Sequence, residues 1–179
     1  MVLSTNFTIA DLTRNVDGSI FQNEGDGIMY AKWFFGSVFF FSFVYAFWSN
    51  LFERIIKPER YMKFDDVQKA NWNATWVANT HHIILCTIIL NTFIYPNCDN
   101  PYPFQFFYED SCFYLIDYRY AIPCFICCGY LTYDFYVQHY IIKDDSPLGR
   151  QMVWHHFLGI LGIGVGTFIG YAHTGIMAF

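Results

Sequence analysis

Six positions in this sequence carry groups that could do acid–base work. His81 and His82 are adjacent, His155 and His156 are adjacent, and Asp134 lies close to His139 in "GYLTYDFYVQHY". Imidazole beside a carboxylate can move a proton at neutral pH, and a histidine nitrogen can take an acyl group transiently. His155, His156 and Asp134 are therefore the catalytic candidates. Histidines on several helices could also ligate haem iron, but nothing in their spacing favours it, and neither a metal nor a cofactor is expected. A blander account is a buried hydrogen-bond network that ties helices together.

The elements that would position these groups are hydrophobic. The chain has 179 residues, 55% of them hydrophobic, 22% aromatic and only 14% charged, with a net charge of −5. Soluble domains carry about 25% charged residues. Four stretches approach the ~20 apolar residues that a membrane-crossing helix needs: 28–51, 76–95, 119–142 and 152–172. The expected fold is all-α, a polytopic transmembrane helical bundle of about four spans. All five tryptophans lie near span ends, as an interfacial aromatic belt requires. Residues 1–27 form a polar, acidic tail without a cleavable signal peptide. The net charge and the lack of a basic stripe argue against nucleic acid as a partner.

Lys and Arg are unevenly placed. Loop 52–75 holds five, Arg54, Lys57, Arg60, Lys63 and Lys69, while 96–118 holds none. The positive-inside rule puts 52–75 and 143–151 in the cytosol, and the N-terminus and 96–118 on the luminal or exterior side. The sequon at Asn6 then lies outside and the one at Asn73 inside, too near the membrane for use. Cys98 and Cys112 bracket the outer loop and could form a disulfide; two free thiols fit as well. Cys124-x-x-Cys127 is read as small packing residues within a span.

Charge at membrane depth is costly and marks function by default. Asp134 lies nine residues before Lys143, so it is roughly 13 Å into the membrane at the helical rise. Tyr130, Asp134 and Gln138 share a face, with His139 one position round. Adjacent helical residues point about 100° apart, so only one of each histidine pair can face inward. The stripe Asn79, His82, Cys86 favours His82, and His155 is taken as the inward member of its pair. The expected site is a polar cleft opening to the cytosol, lined by His82, Tyr130, Asp134, Gln138, His139 and His155. Gly162, Gly166 and Gly170 form a ridge suited to close helix packing.

Three stretches together resemble the TLC-domain family of multi-span membrane proteins. "ANWNATWVANTHHIIL" (70–85) is similar to its Trp-Asn entry before a Ser/Thr-His pair. "GYLTYDFYVQHY" (129–140) resembles its Gly-Tyr-x-x-x-Asp helix, and "VWHHFLGILG" (153–162) its His-His helix start. The resemblance covers residues 28–179. The family usually continues with two more spans after the His-His helix, so the chain reads as a shortened member or as one completed by a partner.

The resemblance implies two classes of activity. Ceramide synthases move an acyl group from acyl-CoA to a sphingoid amine, using a His-His pair and a later acidic motif. His155 and His156 match the pair; the acidic motif would fall beyond Phe179, so the enzyme question leans to no. Other members regulate membrane lipid composition without chemistry of their own. The expectation is accordingly a lipid-binding or lipid-homeostasis role, with membrane lipids as partners. An accessory subunit of a larger membrane complex is a further reading, with other subunits, or a second copy, meeting the glycine ridge. The expected site of residence is the endoplasmic reticulum or another endomembrane, or the mitochondrial inner membrane.

Overall fold

The computed structural model describes residues 26–95 and 118–168, and every regular element among them is helical. The first helix, α1 (Asp26–Asn50), runs on into a π-helical turn (Leu51–Ile56). A one-turn helix, α2 (Glu59–Met62), was not anticipated from the sequence. It is followed by α3 (Asp66–Ile94), by α4 (Tyr118–Tyr136) with a second π-helical turn (Val137–Ile142), and by α5 (Pro147–Phe168). Cys98, Cys112, Gly170, the sequon at Asn6 and the tail 1–25 lie outside the described residues.

The helix ends explain why the observed bounds differ from the expected spans. The 76–95 span begins ten residues early, at Asp66, because Asp65 forms a capping box. Its carboxylate accepts the Gln68 N–H at 2.8 Å, and Gln68 Oε1 accepts the Asp65 N–H at 3.2 Å. That reciprocal bond satisfies donors which a helix start otherwise leaves orphaned. The polar first turns carry too little apolar surface to register as membrane-crossing. The π turns end alike, at Lys57 (φ 44°) and Lys143 (φ 52°). Each lysine N–H bonds five residues back, to Phe52 O at 2.9 Å and Gln138 O at 3.0 Å. A cationic residue at a helix C-terminus complements the helix dipole. Ahead of α5, Asp144 Oδ1 accepts the Ser146 N–H at 2.9 Å, and Ser146 Oγ caps the Gly149 N–H at 3.0 Å. Those Ser146 donors hold the Asp144 carboxyl below its ordinary range.

α4 is the central helix, packed closely against α1 on one side and α5 on another, with α3 also against it. Gly129 permits the tightest of these approaches. A Cβ there would lie 2.6 Å from both Phe34 O and Ser37 Cβ of α1. The core joins Phe41 and Val44 of α1, Ala74 and Val77 of α3, and Ile126, Tyr130, Tyr133 and Val137 around α4. At the end predicted to be cytosolic, aromatic rings lock the α1–α3 turn. Trp48 stacks on Phe52 at 5.4 Å and lies 4.9 Å from Trp76, while Tyr61 of α2 sits 5.4 Å from Phe52. Asn73 is buried there and donates to Tyr61 Oη at 3.3 Å.

Polarity is distributed inside out. Phe39 and Phe43 of α1 are 73% and 68% exposed, while Asp134, His81 and His156 are 5%, 3% and 5% exposed. Two helical stretches, Asp26–Ile56 and Asp66–Ile94, are long and apolar enough to cross a membrane. Among the described residues α4 and α5 do not reach that measure, although four such spans were expected. Asp134, Gln138 and the paired histidines lower their hydropathy.

Candidate functional site

α4 supplies the floor of the site. Helical spacing places Tyr130, Asp134 and Gln138 in one row, and α3 and α5 rise on either side of it. The cleft between them has a volume of ≈570 Å³. Asn71, Thr75 and Gln138 lie towards the capped end of α3, and His81, Tyr130, Asp134 and His156 line the middle. Leu85, Cys127 and Ile163 line the deep end. From Asn71 to Leu85 the helical rise gives a length of about 21 Å.

His156 and Asp134 join α5 to α4. The His156 Nε2 lies 3.3 Å from Asp134 Oδ2, with both side chains almost wholly buried. A carboxylate in this position restricts the orientation of the imidazole. Its other nitrogen, Nδ1, is buried without a hydrogen-bond partner among the described residues. One helical turn further along α4, His81 lies flat on Tyr130, with ring centroids 3.8 Å apart and planes inclined by 8°. Phe41 meets both rings edge-on, at 5.6 Å and 5.3 Å. The stack holds His81 in place through its faces and leaves Nδ1 and Nε2 without partners among the described residues.

The inward member of each histidine pair is the opposite of the one expected. His81 is buried and His82 exposed; His156 is buried and His155 exposed. On α3 the inward stripe is Ala70, Asn73, Ala74, Val77, His81. Small side chains let the helix approach α4, and the polar stripe through His82 has no comparable fit. His82 and His155 still line the cleft, at its rim. Tyr130, Asp134 and Gln138 lie where the row placed them. His139 does not line this cleft. It is exposed, and helps to form a separate ≈480 Å³ hollow with Lys143, Asp144, Asp145, Arg150 and Trp154. Its ring stacks on Phe135 at 5.7 Å, turned away from Asp134 by its one-position offset on the helix.

At Gly162 the glycine ridge faces no helix among the described residues. A Cβ at Gly162 would meet nothing within 4 Å, nor would one at Gly164. Gly159, just above His156, is tighter, with Leu131 Cδ1 3.1 Å from its Cβ position. Cys124 and Cys128 are buried between helices as packing residues, and Cys127 lines the cleft. Among the described residues no three His, Cys, Asp or Glu side chains converge in a way that could hold a metal ion. Comparison with protein-family models, with curated proteins and with solved structures gives no match.

Proposed function

We propose that this chain is a membrane-embedded lipid-binding protein of TLC type, acting on membrane lipid composition without catalysis of its own. The observation that carries the reading is the cleft between α3, α4 and α5. It sets buried polar groups midway along three helices and continues into an apolar end at Leu85 and Ile163. An acyl lipid has the same division, a polar head on a hydrocarbon chain. The inside-out polarity supports immersion of the whole bundle, because lipid solvates exposed phenylalanines and cannot solvate Asp134.

In this reading α1, α3, α4 and α5 are four spans. The segments 52–75 and 143–151, which hold seven of the ten Lys and Arg residues, face the cytosol, and α4 and α5 tolerate polar groups because α1 and α3 shield them. The resemblance in 70–85, 129–140 and 153–162 supports the same assignment, since each of those stretches contributes to the cleft. An endomembrane is the proposed residence. The experiment is a lipid profile of cells lacking the protein. Altered phospholipid or sphingolipid species are expected, and an unchanged profile contradicts the proposal.

A second reading rests on the His156–Asp134 contact. A histidine oriented by a buried carboxylate can serve as a general base in acyl transfer. Purified protein given acyl-CoA and a sphingoid base would then form amide, and His156→Ala would abolish it. No turnover by the unaltered protein removes this reading.

A further inference from the structure

The cleft contains polar atoms that the described part of the chain leaves unanswered. His81 Nδ1, His81 Nε2 and His156 Nδ1 are all buried without a partner, and both residues line one cavity. A buried donor or acceptor left unpaired keeps its full desolvation cost. A group entering the cleft would remove that cost, so the pattern of donors and acceptors specifies what should enter.

The pattern follows from proton counting. Neutral His81 presents one N–H donor and one lone pair. The His156–Asp134 pair sits where net charge is expensive, so it holds two protons in all. With one proton shared between Nε2 and Oδ2, the second is on Nδ1 and makes it a donor. Two donors and one acceptor are then buried on residues that line the cavity, close to one helical turn apart along α4, since Tyr130 carries His81 and Asp134 carries His156.

Charge narrows the class. Among the described residues lining the cleft there is no Lys or Arg, and the one carboxyl is Asp134. A phosphate would lose its hydration there and gain no fixed cation, which is a large penalty. Leu85, Leu131 and Ile163 supply an apolar wall for a chain.

We infer that the cleft selects an uncharged acyl lipid whose head carries both a carbonyl and a hydroxyl, such as a mono- or diacylglycerol, over phosphate-bearing lipids. The carbonyl oxygens accept from His81 and His156, and the hydroxyl donates to the remaining His81 nitrogen. This inference rests on the lipid-binding reading above and adds the head-group chemistry.

The test uses the full chain purified in a neutral detergent and radiolabelled dioleoylglycerol, displaced by three unlabelled lipids. They are dioleoylglycerol itself, dioleoyl phosphatidate, and the dioleyl ether of glycerol, which keeps the hydroxyl and lacks the carbonyls. Phosphatidate and the ether should each compete about tenfold less well, the scale of one or two lost buried hydrogen bonds. His81→Phe preserves the ring on Tyr130 and should weaken binding about tenfold with an unchanged thermal midpoint. His81→Gln keeps a donor and an acceptor and should bind within about threefold of the unaltered protein. Equal competition by phosphatidate, or unchanged binding in His81→Phe, overturns the head-group inference and leaves lipid binding standing. If His81→Phe does not fold, the three competitors on the unaltered protein decide alone. Absence of saturable binding by any of the lipids overturns the lipid-binding reading as well.

Discussion

His156 and Asp134 touch at 3.3 Å inside a bundle that exposes large apolar side chains such as Phe39, Phe43 and Ile83. Breaking such a pair leaves one polar group buried alone, which typically costs about 3–5 kcal/mol. Asp134→Leu should therefore lower the unfolding free energy by about 3 kcal/mol. Asp134→Asn keeps an acceptor for the imidazole N–H and should cost only about 1 kcal/mol. Denaturation in mixed micelles separates the two, and equal losses would show that the contact contributes nothing. The sequence placed Asp134 and Tyr130 on one face because the four-residue spacing within one helix fixes their relation. It misplaced the inward histidines because rotation about a helix axis is decided by the neighbour. The small residues Ala70, Ala74 and Val77 carried the decisive signal, since they let α3 approach α4 and bring His81 with them. Polar character alone pointed to the stripe through His82.

At the scale of the helices, close approach is concentrated at one glycine. Gly129→Ala would place a methyl 2.6 Å from backbone and Cβ atoms of α1, and overpacking of that kind costs about 1–3 kcal/mol. Gly162→Ala meets nothing within 4 Å among the described residues and should stabilise by up to about 1 kcal/mol through helix propensity. Thermal unfolding of both variants checks the contrast. A loss in Gly162→Ala would instead mean that the ridge is covered by a segment outside the described residues or by another chain. The glycine repeat was plain in the sequence, but a repeat does not say which glycine meets a helix. Helix ends show a similar gap. Lys57 and Lys143 adopt left-handed backbone, which costs a residue with a side chain roughly 1–2 kcal/mol. Lys57→Gly or Lys143→Gly should therefore raise the unfolding free energy by up to about 1 kcal/mol. Nothing in "ERIIKPE" or "HYIIKDD" marks those π-type ends, because positive φ at lysine has no pattern of its own.

For the whole molecule, the account depends on lipid reaching a cleft that opens between α3 and α5. The all-helical class was legible from long apolar runs and sparse charge. The central place of α4 was not, since helix order in sequence does not determine which helix is surrounded. Nor was it legible that, among the described residues, only α1 and α3 would be apolar enough to cross a membrane by length and hydropathy. The polar groups that make a cleft worth building are the same groups that dilute the signal of α4 and α5. The most direct measurement is native mass spectrometry of the full chain released from gentle detergent, compared with Ala78→Phe, in which a ring fills the space beside His81 and Asp134. The account predicts a retained lipid mass on the unaltered chain and its loss in Ala78→Phe. Lipid bound equally to both, or to neither, contradicts it.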